Sequence, residues 1–175
     1  MANNTELRAS AIRKKAKEVN QKETYEFEDS TTLTFYPIFT EKKIEKLLEE
    51  FASLFKQANE KDIELSDKMT YYLTLLQCIK HFTHLGKDIQ NNLEYQLDYL
   101  DALIDSGYFK KITEEVFVPQ EIQKVFERMT DVLGKYKMME DLMNDAQNKF
   151  YDLKLKNKEV FEQLGNIGEK SKLVQ

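Results

Sequence analysis

Residues 71–79 read YYLTLLQCI, and they are apolar on most sides of any helix that contains them. A helix without a polar face must be surrounded by other elements, so this stretch predicts the central helix of a bundle. Ser66 is suited to begin the helix, and Gly86 is predicted to end it. The side chains expected to face the core are Met69, Tyr72, Leu73, Leu76, Ile79 and Phe82. The expected fold is mainly α-helical: a helical bundle with a small N-terminal β-hairpin and a long C-terminal helix.

Amphipathic helices are predicted on both sides of this segment. Thr40 is the expected N-cap of a helix whose apolar residues recur at three- and four-residue steps. Asn91 or Asn92 should begin a third helix, which Gly107 ends, and a short fourth helix should follow at about 108–116. The apolar positions of the two longer helices are Ile44, Leu47, Leu48, Phe51, Leu54, Phe55 and Ala58, then Leu93, Leu97, Leu100, Leu103 and Ile104.

A β signal precedes the bundle. Tyr25 and Phe27 alternate with charged residues, residues 28–30 offer a turn, and Leu33 and Phe35 alternate with threonines. This pattern predicts a two-stranded hairpin with four apolar side chains on one face. A lone hairpin is marginally stable in water, so it should pack on the helices.

A long helix should begin at Pro119 and carry a heptad seam. From Ile122 to Leu164, residues that are apolar except for Asn157 recur at alternating three- and four-residue steps. About forty-three residues at roughly 1.5 Å each would extend ~65 Å, about twice the diameter of a small domain. Part of the seam should therefore need another helix to cover it. Gly134 could kink or break the helix at the point where the seam leaves the bundle.

These patterns divide the chain into four parts. Residues 1–22 form a polar, basic arm, which could be a short helix from Leu7 to Val19 or a mobile terminus, and which could contact phosphates or simply be solvated. Residues 23–134 form a helical domain that includes the hairpin. Residues 135–164 form the projecting part of the long helix, and residues 165–175 form a tail that is expected to be disordered.

Composition limits the classes of function. The chain has 175 residues and a formal charge of −5, which argues against a nucleic-acid or anionic-membrane partner. Its single cysteine, Cys78, cannot form an internal disulfide. The sequence lacks a signal-peptide core and any run of about 20 apolar residues. We therefore expect a soluble protein of the cytoplasm.

Candidate chemistry is sparse. Cys78, His81 and His84 stand at three-residue steps, but no fourth zinc ligand accompanies them, and a buried cysteine beside partly exposed histidines explains the triplet better. The five glycines form no phosphate-binding motif, and the Glu-x-x-His pairs of di-iron bundles are missing. We expect no catalytic residues, no metal site and no cofactor, and thus no enzyme.

Methionines concentrate in the long helix. Flexible thioether side chains suit a surface that accepts variable apolar partners, whereas Met129 is expected to fill a gap in the core. The predicted partner-binding stripe consists of Met138, Met139, Leu142, Met143, Ala146, Phe150 and Leu153. The predicted oligomer seam consists of Asn157, Val160 and Leu164, where Asn157 could fix the register or mark the point at which the seam frays.

Four segments resemble a known family. They read TFYPIFT at 34–40, IKHFT at 79–83, LIDSGYF at 103–109 and VPQEIQKV at 118–125. Together, over roughly residues 24–130, they resemble tail assembly chaperones of long-tailed phages and prophages of Gram-positive bacteria. The resemblance implies a protein of the host cytoplasm, absent from the mature virion, that keeps the helical tape measure protein soluble, helps recruit tail-tube subunits and self-associates as a homo-oligomer.

Two functions follow from the sequence. The first is a non-enzymatic chaperone whose exposed seam binds the tape measure protein. The alternative is a self-assembling helical structural protein whose seam closes on its own copies and which has no client.

Overall fold

The structure, a computed structural model, describes residues 6–132 and residue 134. These residues form a helical protein with one two-stranded antiparallel hairpin, so the predicted fold class is confirmed. The elements are α1 (Ala9–Glu18), β1 (Glu23–Glu26), β2 (Thr32–Phe35), α2 (Glu41–Glu60), α3 (Asp67–Phe82), a 3₁₀ turn (His84–Lys87), α4 (Leu93–Asp105), α5 (Tyr108–Lys111), a π-helical turn (Ile112–Val116) and α6 (119–132).

The chain divides into two compact units, Met1–Met129 and Thr130–Gln175. Of the second unit, the structure describes residues 130–132 and 134, which are helical. The predicted boundaries of the four parts stay predictions, and 135–164 and 165–175 lie outside the described residues. Within the described ranges, no helix is both long and apolar enough to cross a membrane.

α3 is the central helix of the first unit, as predicted. Every side chain from Leu73 to Ile79 is buried, which includes Thr74 and Gln77. The Ser66 hydroxyl accepts the Met69 N–H at 3.2 Å and caps the first turn. The Gln77 side-chain amide donates to Gln96 Oε1 on α4, so a buried polar contact joins the two helices.

The predicted end of α3 at Gly86 is wrong. The helix ends at Phe82, because Thr83 adopts an extended conformation and pairs with Phe35 of the hairpin. The Tyr36 N–H donates to the Phe82 carbonyl at 2.8 Å. The residue after β2 therefore supplies a hydrogen bond to a carbonyl that has no partner within the helix, because it lies at the helix end. Gly86 lies in the 3₁₀ turn that follows.

α2 and α4 begin at the predicted residues. Thr40 is the N-cap residue of α2, but among the described residues its side chain accepts no capping hydrogen bond. Asn92 Oδ1 caps α4 by accepting the Tyr95 N–H at 3.0 Å. Two positions predicted for the core are wrong: Ile104 is 41% exposed and Met69 is 37% exposed.

The hairpin has the predicted strands and packs on the helices. Tyr25 pairs with Leu33 across the two strands, and Leu33, Phe35 and Phe27 are buried. The Phe27 ring contacts the Tyr108 ring edge to face, with centroids 5.0 Å apart. Phe27, Leu33 and Phe35 therefore become part of the core, and the half-buried Tyr25 packs against it.

α5 and the part of α6 up to Met129 complete the first unit. Gly107 takes a φ of +79°, a left-handed conformation that glycine adopts without strain, and α5 begins at the next residue. Pro119 opens α6, as predicted. The first seam positions pack into the core: Val125 is fully buried, Met129 is buried and Ile122 is half-buried.

The basic segment at the N-terminus forms α1, the helical alternative of the two that the sequence left open. Residues 6–18 are all exposed, and Val19 is half-buried.

Candidate partner-binding surface

The residues predicted to bind partners lie outside the described residues. These are the stripe of Met138, Met139, Leu142, Met143, Ala146, Phe150 and Leu153 and the oligomer seam of Asn157, Val160 and Leu164. Both assignments stay predictions.

The beginning of the seam is described, and it belongs to the core. Met129 packs against α3, where the Thr74 hydroxyl donates to its Sδ at 3.4 Å. The prediction that Met129 fills a gap in the core is confirmed.

An open apolar groove lies on the surface of the first unit, and we call it the aromatic groove. It has a volume of about 390 Å³. α3 lines it together with α4, α5, the π-helical turn and α6. Its lining residues are Tyr71, Tyr72, Leu75, Ile104, Phe109, Lys110, Thr113, Glu114 and Ile122.

Ring contacts hold the aromatic side chains of the groove in place. Tyr71 stacks on Phe126 of α6, with centroids 5.3 Å apart and planes at 21°. Tyr72 contacts Phe109 edge to face at 5.6 Å. Tyr71 is nevertheless 50% exposed. An exposed aromatic ring in a fixed position offers a contact surface at low entropic cost.

The groove has a polar rim on the side of α5. Lys110 and Glu114 form an exposed ion pair at 3.9 Å, which contributes little stability because water screens it. The Thr113 hydroxyl donates to the Phe109 carbonyl at 2.9 Å. Both charges of the rim therefore remain accessible to a partner.

Four acidic side chains form a second surface feature, which we call the acidic stripe. Glu94, Asp98, Asp101 and Asp105 follow α4 at steps of four, three and four residues, and all are exposed. Such spacing places them on one face of a helix. Ile104, which lines the groove, stands three residues after Asp101 on α4, so these two side chains are neighbours on the helix surface and the stripe lies beside the groove.

Sequence reasoning missed both features for different reasons. The spacing of the acidic residues was readable in the sequence. The groove had no sequence signal, because side chains from five separate elements line it and Ile104 resembled a core position.

The three residues of the cysteine–histidine triplet, Cys78, His81 and His84, lie in different environments. Cys78 is buried as predicted, and burial raises the pKa of its thiol well above its usual range. His84 is exposed, and its Nδ1 accepts the Thr34 N–H at 3.1 Å. In the part of the chain that the structure describes, no three side chains of the metal-binding types converge on one point.

His81 is partly exposed as a residue, as predicted, but its side chain is only 8% exposed. Its Nε2 lies 3.2 Å from Glu50 Oε2. Lys80 Nζ lies 2.6 Å from the same oxygen, so one carboxylate on α2 contacts two neighbouring side chains of α3. Burial lowers the pKa of His81 in spite of the nearby carboxylate, which raises it. We call these three residues the Glu50 cluster.

Comparisons with known proteins give a family. The sequence matches the protein family described as YomO over residues 9–167. It is similar to the SPbeta prophage-derived uncharacterized protein YomO of Bacillus subtilis (strain 168), at 28% identity over 158 residues that cover 89% of this chain and 90% of that protein. No solved structure matches the chain. The family match covers the whole seam, from Ile122 to Leu164, as well as the described residues from Ala9 onward.

Proposed function

This chain belongs to the YomO family, and from that premise we propose that it acts during phage assembly as a tail assembly chaperone that binds the helical tape measure protein. The relative's description as prophage-derived supports a phage-associated role. The sequence resemblance to tail assembly chaperones supports the more specific role.

One observation carries the proposal: the compact unit ends before the seam does. Val125 and Met129 bury their side chains in the first unit, and that unit ends at Met129. The sequence continues the same heptad pattern to Leu164. Apolar residues at this spacing are covered by a second helix in a coiled coil. A long helical client with apolar stripes provides such a helix.

The proposed contact stripe is the predicted one, from Met138 to Leu153. Its methionines can adapt to different apolar surfaces, so the stripe could cover several segments of one long client without requiring a particular sequence. The tail-tube protein is a second proposed partner, and we place the complex in the host cytoplasm.

We propose a role without catalysis. The Cys78 thiol is buried and its pKa is raised, so it does not supply a thiolate nucleophile. The Glu50 cluster joins two helices and contacts no groove residue among the described residues, which fits a structural contact.

Co-expression with the tape measure protein of the same prophage tests the contact stripe. Replacing Met139, Met143 and Phe150 by glutamate should abolish co-purification, because three charges cannot be buried against an apolar helix. The far-UV circular dichroism should stay near that of the wild type. The matched control replaces Asn144, Asn148 and Tyr151, which stand off the heptad seam, by glutamate and should keep binding.

Undiminished co-purification of the variant with glutamate at Met139, Met143 and Phe150 would reject the proposed contact stripe.

Light scattering of the isolated protein tests the alternative function. A discrete oligomer with no affinity for the tape measure protein would favour a self-assembling structural protein instead.

A further inference from the structure

α1 is an amphipathic helix without a binding surface in its own subunit. Its apolar positions Ala9, Ile12, Ala16 and Val19 recur at steps of three, four and three residues, which places them on one face. Within the described residues, no side chain of α1 is buried, and Ile12 is 54% exposed. A helix of ten residues is marginal in water unless its apolar face is covered.

Basic side chains border that face on both sides. At 100° per residue, Arg13 and Lys17 lie on one side of the face and Arg8 and Lys15 on the other. Residues 6–22 carry six basic and two acidic side chains, although the whole chain is acidic. Among the described residues, none of the ion pairs involves α1.

The aromatic groove and the acidic stripe together are complementary to α1: the groove suits its apolar face, and the stripe suits its basic side chains. The groove exposes Tyr71 and Ile104 to an incoming apolar face. α4 contains no basic residue, and in the described part of the chain Glu94 is the member of the stripe that has an ion-pair partner, Lys61 at 2.8 Å. Asp98, Asp101 and Asp105 thus remain available to an external cation.

We propose that α1 of one copy of the chain docks along the aromatic groove of a second copy. Ile12 and Val19 contact Tyr71 and Ile104, and Arg13 and Lys17 face the acidic stripe. The occupant is a second copy because the complementary charges are both present on this chain and because α1 is exposed in its own subunit. Only residues 19–22 separate α1 from β1, which is held in the hairpin, so α1 is closely tethered to the body of its own subunit.

The contact is partly electrostatic, so salt should weaken it. Exposed charges are screened over a Debye length of about 10 Å at 0.1 M ionic strength. The surfaces lie within Met1–Met129 and include no residue of the proposed contact stripe, which runs from Met138 to Leu153, so this inference does not depend on the proposed chaperone function.

Sedimentation equilibrium of the full chain tests the proposal through two charge reversals. Arg13→Glu with Lys17→Glu, and separately Asp98→Lys with Asp101→Lys, should each weaken self-association by at least about tenfold, because like charges then meet at the contact. An equimolar mixture of the two variants should associate again, since each α1 then faces a stripe of opposite charge. All four positions are exposed, so both variants should fold.

Lys42→Glu with Lys87→Glu is the matched control for the reversal on α1, because it makes the same change in net charge at two exposed positions outside α1, the groove lining and the acidic stripe. This variant should associate as the wild type does. The proposal is overturned by a monomeric wild type, by reversals that leave association unchanged, or by a mixture that stays monomeric. Binding of the wild type to anionic vesicles as a monomer would assign α1 to a membrane surface and would also overturn it.

Discussion

Gly86 illustrates how one residue can serve a purpose that its sequence context conceals. A Cβ atom added there would lie 1.9 Å from the Lys80 carbonyl oxygen, so the backbone of the 3₁₀ turn approaches the end of α3 too closely for any side chain. The sequence predicted a helix cap at this position, because glycine commonly ends helices. The missing side chain at Gly86 thus permits a close approach of two backbone segments and does not end a helix.

The two glycines Gly86 and Gly134 should respond oppositely to alanine. Gly86→Ala should lower the free energy of unfolding by about 1–3 kcal/mol, because backbone must move to admit the methyl group. Gly134 is helical, and a Cβ there meets nothing within 4 Å. Gly134→Ala should therefore stabilise the helix by about 0.5–1 kcal/mol. Urea unfolding followed by circular dichroism measures both; equal effects of one sign would contradict this account.

At the scale of elements, the positions of helices were predictable and their contacts were not. Ser66 and Asn92 cap α3 and α4, as their side chains predict, and the apolar spacing of α2 identifies its buried face. The end of α3 depends on pairing with the hairpin, a contact between residues far apart in sequence that periodicity cannot reveal. The Glu50 cluster, which joins α2 to α3, is of the same kind.

The Glu50 cluster should make the α2–α3 contact sensitive to acid. Burial lowers the pKa of His81 below its ordinary value of 6.5, so the folded protein binds a proton there less readily than the unfolded chain does. The stabilising contribution of neutral His81 is therefore complete above about pH 6.5 and is lost as the pH falls towards the lower pKa of the folded state. Burial raises the pKa of Glu50, but Lys80 and His81 lower it further, so its own contribution is lost only in stronger acid.

Urea midpoints measured at about pH 7.5 and about pH 5.5 test this dependence, because these two pH values lie on either side of the ordinary histidine pKa of 6.5. The wild type should lose stability over this interval, and His81→Gln, which cannot take up a proton, should lose less. The comparison uses the change in urea midpoint between the two pH values. A loss of stability that the substitution causes equally at both pH values therefore does not affect it. An equal change in both proteins would mean that His81 does not titrate differently on folding.

At the scale of the whole molecule, the first unit and the seam should be separable. Met1–Met129 has its own core, from Phe27 in the hairpin to Met129 in α6. We propose that self-association belongs to the first unit and that client binding belongs to residues 138–153. Composition and heptad spacing sufficed to propose the client stripe from sequence, whereas the groove required the packed arrangement of five elements.

A chain that ends at residue 134 should still self-associate but should no longer bind the client. It should unfold cooperatively in urea, because its core lies before the truncation, and it should still self-associate in a salt-dependent manner through α1. It should no longer co-purify with the tape measure protein. Retained client binding would move the client site into the first unit, and loss of cooperative unfolding would show that the first unit needs residues 135–175.

The position of Tyr71 has a practical consequence for following these events. The chain contains no tryptophan, so Tyr71→Trp would introduce a single indole chromophore at the half-exposed edge of the groove. Emission from that indole would shift to shorter wavelength when a neighbour excludes water from it. Titrating the labelled protein with unlabelled copies would then give the affinity of the contact directly, against a spectroscopic background free of other indoles.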